Sequence, residues 1–469
     1  MKPRKKSMKV IIICLAIIVV PVIIKAIWVG VATRHNGDFE SEKAVIMARR
    51  DFLIEKVMTS PQKLIDEMPA IVGPQFQGEW ALYSCSMLSA ALVNTTLIYD
   101  EDREANIVRI DSLIQIVMSP ELRAYDRERW GEDPLETLDG KESHVSYLSH
   151  LAWMIGGYKR IGGGDKYDEL YHRLCETMNR RILESPNMNL PTYPGECVYV
   201  PDMLVAIVAL SVYSQQYEGK YYSTVYQWLA EAKQHWLDKD TGMLASFLPD
   251  DREGIYEEAP IKGSYSALSC YYLTFVDEEF ARDQYEKLNA NFSQKRPITG
   301  FKEYHDRRCW LGMDIDAGPI VCNLSPTGTA FAVGSVTFFE DWALRKKLLK
   351  TGEMAGTTWH RKGKRHYLLA DVALVGEAIM LACGRRWNGS LRQLYWIDLQ
   401  EIFCLEASFT FLVLPPPPDS FSHFLQSAVG KFFNILSITF DNFVFLLAKT
   451  SHKHTKSSWI PYCSDTITC

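Results

Sequence analysis

Glu79-Trp80-Ala81-Leu82-Tyr83-Ser84-Cys85-Ser86-Met87-Leu88-Ser89-Ala90-Ala91 opens a stretch, 79–99, that mixes small residues with large apolar ones and carries no charge after Glu79. A helix that is apolar nearly all round is buried on every side. Its small residues let neighbours crowd around an axis. Five more stretches read the same way: 142–161, 198–217, 262–275, 323–339 and 366–384. Charged, amphipathic stretches lie between them, at 102–118, 166–184, 220–237, 277–292 and 341–350. In Tyr167-Asp168-Glu169-Leu170-Tyr171-His172-Arg173-Leu174 the apolar residues recur at three- and four-residue spacing, with charge between them. A further amphipathic stretch, 40–58, precedes the first apolar one and can pack beside the last. One leading helix, five pairs and one trailing helix make twelve. The pattern predicts an all-α fold, an (α/α)6 barrel or six-hairpin toroid, over residues 36–390. The alternative is an irregular α-solenoid whose ring stays open.

The chain has 469 residues, 47% hydrophobic and 23% charged, which is ordinary globular composition and enough for a large core. A net charge of −6 gives no reason to expect a nucleic-acid partner, which usually calls for a basic surface. Ahead of the barrel, Lys2, Arg4, Lys5, Lys6 and Lys9 precede an apolar run from Val10 to Ile24, which continues past Lys25 to Ala32. Basic residues stay on the cytoplasmic side, so the rest of the chain is expected to be exported. Residues 1–35 are read as an uncleaved signal anchor, with a cleaved signal peptide as the rival. That makes the membrane a partner through the N-terminal helix and puts the barrel on the periplasmic or extracellular side. The eleven cysteines are scattered singly, without a metal-like cluster, and those on helices read as small buried hydrophobes. Residues 391–469 change character: they are apolar, interrupted by Pro415–Pro418, and continue no repeat. They are read as an extension without an assigned role.

In such a ring the loops entering the inner helices gather at one end, where helix N-termini present free N–H groups and partial positive charge. Several of these loops are polar or glycine-rich. They are Gly78-Glu79-Trp80, the segment from Tyr193 to Asp202, Glu257-Glu258-Ala259-Pro260, and Gly312-Met313-Asp314-Ile315-Asp316-Ala317-Gly318-Pro319. A glutamate at a helix start is often only a favourable cap. Asp202 exceeds that reading, because it enters a wholly apolar helix and needs a partner there. Glu196 lies six residues before it. Asp314 and Asp316 form a second acidic pair, and paired carboxyls in a pocket can have their pKa values pushed apart into an acid and a base. The spacing lacks the further acids of a Ca²⁺ loop, so no metal or other cofactor is expected. His150, on the inner stretch 142–161, is either a satisfied core residue or a proton carrier.

At these residues the chain resembles the linalool dehydratase/isomerase family, from about Gly78 to Gly384. Trp130-Gly131-Glu132-Asp133-Pro134-Leu135-Glu136 is similar to the family's segment before its second inner helix, and His150 then matches its catalytic histidine. Trp236-Leu237-Asp238 with Gly242-Met243-Leu244 resembles the turn after the third pair. Gly312 to Gly318 resembles an Asp-rich glycine turn, and Leu368-Leu369-Ala370-Asp371 the last helix. The resemblance implies an (α/α)6 barrel doing acid–base dehydration and isomerisation. Two family cysteines align with Tyr193 and Asp202, and the family's first-loop aspartate and tyrosine have no match around residues 66–77. The site here is therefore expected to be more polar than one made for a hydrocarbon.

The expectation is an exported, metal-free lyase or isomerase acting on an alcohol-type small molecule. Asp202 and Glu196 would be its acid–base pair and His150 its proton shuttle. Asp314 and Asp316 would clamp the substrate, with Tyr147, Tyr193 and Glu79 in support. Opposed carboxylates and abundant aromatics equally suit a glycoside hydrolase-like enzyme on a carbohydrate. A third reading is a non-catalytic ligand-binding barrel, with Glu196, Asp202 and Asp316 all engaged in ion pairs. A homo-oligomer is compatible with the sequence.

Overall fold

The computed structural model describes residues 5–34, 39–69, 73–249, 260–371 and 374–384. Helix α1 (Lys5–Ala32) precedes the ring. The outer helices are α2 (Phe39–Val57), α5 (Arg103–Val117), α8 (Asp168–Glu184), α10 (Tyr222–His235), α12 (Glu278–Phe292) and α14 (Trp342–Gly356). The inner helices are α4 (Pro74–Tyr99), α7 (Val145–Arg160), α9 (Val200–Gln216), α11 (Gly263–Leu273), α13 (Pro326–Phe338) and α15 (Leu374–Gly384). Each inner helix packs on the next, and α15 packs on α4, so the ring closes. The open solenoid is thereby excluded. Two short helices, α3 (Pro61–Asp66) and α6 (Pro120–Trp130), are additions to the repeat.

The small residues do what crowding requires. A Cβ on Gly334 would come within 2.5 Å of the Tyr271 ring, and one on Gly156 within 2.6 Å of the Tyr171 hydroxyl. Cys85, Cys175, Cys270 and Cys383 are free and buried, as expected of small apolar residues. Below the N-terminal ends of the inner helices the axis is filled by aromatic rings. Trp153 meets Tyr272 and Phe275 edge-on at 5.8 and 6.1 Å. The barrel axis is packed at this level.

Four antiparallel two-stranded pieces ornament that end: β1 (Val198–Tyr199) with β2 (Phe247–Leu248), β3 (Ser293–Gln294) with β4 (Gly300–Phe301), β5 (Leu311–Asp314) with β6 (Gly318–Val321), and β7 (Thr358–Arg361) with β8 (Lys364–Tyr367). The last pair corrects an expectation. The stretch 366–384 is not one helix: His366 and Tyr367 end β8, Leu368–Asp371 is a 3-10 turn, and the helix starts at Leu374. Lys362 and Gly363 both take positive φ (51° and 77°). That is the two-residue hairpin turn whose twist suits antiparallel strands.

Helix α1 forms where the anchor is expected. Lys25 interrupts its apolar run for a structural reason: its ammonium donates to the Glu353 carbonyl (3.1 Å) and to the Thr357 hydroxyl, at the end of α14. Among the described residues one helix, Phe76–Tyr99, is long and apolar enough to cross a membrane, but it is the mostly buried part of α4. The described apolar part of α1, Val19–Ala32, is shorter. Residues 391–469 and the acids Glu257 and Glu258 lie outside the described residues.

Gly263 tests the packing of this end. It opens α11, its N–H donates to the Glu303 carbonyl (2.8 Å), and a Cβ there would meet the Lys302 carbonyl oxygen at 1.8 Å. Backbone cannot swing aside as a side chain can. Gly263→Ala is expected to destabilise the fold by about 3 kcal/mol, read as a lower midpoint in denaturant titration. Gly164→Ala, in open space with nothing within 4 Å, serves as the control with little change.

Candidate active site

The inner helices all start at the same end, and the polar residues singled out in the sequence converge there. Asp202 lies in the first turn of α9 and is buried. Its Oδ1 accepts from the Tyr83 hydroxyl (2.7 Å) and its Oδ2 from Thr192 Oγ1 (2.9 Å). Burial lifts its pKa to about 6, against the pull of those two hydrogen bonds. Asp202 makes no ion pair among the described residues. Among the described residues its hydrogen-bond donors are these two hydroxyls.

Glu79 stands one helical turn before Tyr83 on α4, so both project from the same face. Its side chain is enclosed by protein yet keeps partial access to solvent. Burial is the first cause of a pKa raised to about 8, and the neighbouring Asp202 charge is the second. The buried Tyr193 hydroxyl sits beside Glu79 and works against this rise. Near neutral pH, therefore, Glu79 holds a proton while Asp202 has mostly released one.

A second cluster holds the rim. Lys262, the N-cap residue of α11, is buried and donates to Asp316 Oδ2 (2.5 Å) and Asp314 Oδ1 (2.9 Å), with Glu303 Oε1 at 3.8 Å. Asp314 Oδ1 also accepts from the N–H groups of Asp316 and Ala317 (both 2.9 Å), which shapes the turn between β5 and β6. Glu303 accepts from the N–H and hydroxyl of Ser264. Burial raises its pKa to about 7. The Lys262 ammonium fills the space among these acids, so Asp314 and Asp316 are consumed in fastening the hairpin. Among the described residues no group of three or more His, Cys, Asp or Glu is placed to hold a metal.

Glu196 is likewise occupied. It accepts from the Tyr199 hydroxyl (3.0 Å) and lies 3.7 Å from the Arg129 guanidinium, which also stacks on Tyr193 at 3.5 Å. His150 is fully buried, its Nδ1 bonded to Ser86 (2.8 Å) and its ring 4.3 Å from Tyr83, with Nε2 lacking a partner. Burial drops its pKa to about 3, so the ring is neutral near neutral pH. Tyr147 turns outward and donates to the Val117 carbonyl at the end of α5 (3.0 Å). It does not reach the hollow. Tyr83, Thr192, Lys262 and Arg129 were not among the expected site residues. The four-residue step from Glu79 to Tyr83 and the lone lysine opening an uncharged helix were the available signals.

No family model matches the chain, and no curated protein matches it. Among solved structures, a C. acetobutylicum ATCC 824 glycoside hydrolase from family 105 is similar over 65% of this chain and 92% of that one, with 10% identity and a TM-score of 0.45.

Lys262→Met tests the rim. It leaves buried acids without their cation, which typically costs about 3–5 kcal/mol. The thermal midpoint should fall, and hydrogen exchange in 311–321 should accelerate. Glu79 makes the opposite prediction. The folded protein keeps a proton on Glu79 that the unfolded chain releases at its ordinary, lower pKa. Stability is therefore lost as pH rises from that ordinary value through about 8. Glu79→Gln removes this loss. It should leave the melting temperature nearly unchanged at acidic pH and raise it at alkaline pH.

Proposed function

We propose that this chain is an acid–base hydrolase acting on a hydroxyl-rich, carbohydrate-type small molecule. Glu79 is the general acid and Asp202 the base. The observation that carries this reading is the split between two neighbouring carboxyls, one raised to about 8 and the other to about 6, in one hollow. Environments that push two acids apart assign them opposite roles. The wall supports the substrate class. Tyr199, Phe247 and Tyr265 form a run of rings with centroids 5.1–6.1 Å apart, and Tyr265 is near enough to feel the Asp202 charge. Such rings offer flat faces to the C–H surface of a sugar, and their hydroxyls offer polar edges.

In the proposed step, the Glu79 carboxylic acid gives its proton to the glycosidic oxygen as the bond from that oxygen to the anomeric carbon breaks. Asp202 takes a proton from a water whose oxygen bonds to that carbon. Glu79 ends ionised and Asp202 protonated, and exchange with solvent resets both. Tyr83 and Thr192 hold Asp202 in place and keep its basicity moderate. Glu196, through Arg129, positions Tyr193 beside Glu79.

A second reading uses the same pair for dehydration or isomerisation of an alcohol, as the resemblance to linalool dehydratase/isomerase implies. Glu79 would protonate a leaving hydroxyl and Asp202 would remove a proton from the adjacent carbon. The aromatic floor of His150, Trp153 and Tyr272, which suits an apolar substrate body, favours it. In either case we place the barrel outside the cytoplasm, behind the basic N-terminal flank of α1.

Turnover of glycosides and of tertiary alcohols in ¹⁸O-water separates the two. Hydrolysis puts solvent oxygen into the product, whereas elimination gives an unsaturated product without it. Whichever substrate is used, the rate should rise with an apparent pKa near 6 and fall with one near 8. Asp202→Asn and Glu79→Gln should each lower kcat by about 10²–10⁴-fold, and the alkaline limb should vanish in Glu79→Gln. Tyr83→Phe removes a hydrogen bond that favours ionised Asp202, so it should move the acid limb upward. An unshifted limb would remove Asp202 from the mechanism.

A further inference from the structure

The end of the barrel that carries the hollow also carries three features that the acid–base chemistry does not use. The first is the direction of α1. Lys25 and Trp28 bond to Glu353 in the last turns of α14, which end at the mouth. The start of α2 lies at the opposite end, where Glu42 pairs with Arg345 near the start of α14. The chain therefore descends the outside of the ring after Lys25, and the part of α1 before it lies beyond the mouth. That part holds the apolar run Val10 to Ile24, fifteen residues, or about 22 Å of helix, most of the thickness of a bilayer's hydrocarbon core. Its described apolar side chains, among them Val22 and Ile23, are exposed (64% and 51%).

The second feature is one face of the β5–β6 hairpin. Leu311 pairs with Val321 and Met313 with Pro319, so these four side chains share a face. All are exposed, Leu311 at 55% and Val321 at 47%. The other face is fastened down, through Asp314 to Lys262 and through buried Ile320 against Tyr304. An apolar face is thus held rigidly outward at the mouth. The third feature adjoins it. A cleft of about 660 Å³ is lined by Lys295, Arg296, Lys302, Arg307 and Arg308, with Asp306 as its acid, and Trp310 joins it to the hairpin.

We propose that the mouth of the barrel rests on an anionic lipid bilayer. The Leu311–Val321 face enters the interface, the basic cleft covers anionic headgroups, and α1 crosses the membrane beside them. Apolar residues flanked by basic ones, next to a membrane helix, are the chemistry that anionic lipid surfaces select. The hollow then opens toward the membrane surface, and its substrate is one carried by the bilayer or lying against it. This placement stands whichever bond the site breaks.

The test uses the full chain in vesicles of phosphatidylglycerol with brominated acyl chains. An environment-sensitive fluorophore is attached at Met313→Cys, or, as control, at Glu218→Cys in the exposed loop at the opposite end. The unsubstituted chain taken through the same labelling is the blank. The label at 313 should be quenched by the brominated lipid several-fold more than the label at 218. Arg307→Glu with Arg308→Glu should reduce that quenching toward the level seen in zwitterionic vesicles. Equal quenching at both positions would overturn the proposal. So would protection of position 313 that persists in detergent together with a doubled particle mass, because a second copy of the chain would then cover the face.

Discussion

Two buried carboxyl groups, Glu79 and Asp202, lie close enough to act on each other, and the groups around them supply too little positive charge to ionise both. The nearby cations are committed elsewhere. Lys262 is surrounded by Asp314, Asp316 and Glu303, and Arg129 is shared between Glu196 and the face of Tyr193. Asp202 has only the hydroxyls of Tyr83 and Thr192. Those suffice to keep it the more acidic of the pair, and its charge in turn holds the proton on Glu79. Without that imbalance the hollow would be a polar pit with no assigned acid or base.

The ring exists to create this situation. Six inner helices crowd around an axis because glycine, alanine, serine and cysteine face their neighbours. Closure brings all six N-termini to one end. Helix starts leave N–H groups unpaired, so polar side chains can be fixed there without breaking the core. Below them Trp153, Tyr272 and Phe275 fill the axis and keep water from reaching the acids from behind. Keeping uncharged acids in such a place sacrifices stability at alkaline pH, a cost that functional sites commonly carry.

The helical frame was legible because its signals are local. Periodicity and small-residue content located most inner and outer helices within a few residues; α14 runs six residues past the expected 350, and Pro74 at the first position of α4 shifted only its start. The last inner stretch starts late, at Leu374 rather than 366, because His366 and Tyr367 pair as the end of β8 and Leu368–Asp371 turns as a 3-10 segment, neither of which apolar periodicity reveals. Within the site, Asp202 was legible as a carboxylate at the head of an apolar helix. Its partner was not, since Tyr83 is 119 residues away and only ring closure brings them together. Glu79 was placed among the supporting residues and Glu196 in the catalytic pair. In the structure Arg129 and Tyr199 engage Glu196, and the Asp202 charge acts on Glu79.

Carboxyl titration followed by isotope-edited infrared or NMR spectroscopy on the full chain requires no substrate and addresses the imbalance itself. The account predicts one carboxyl titrating near 6, lost in Asp202→Asn, and another near 8, lost in Glu79→Gln. It also predicts that the Glu79 midpoint falls in Asp202→Asn, once the neighbouring charge is gone. Two midpoints in the ordinary carboxylate range, each indifferent to the other's substitution, would contradict it.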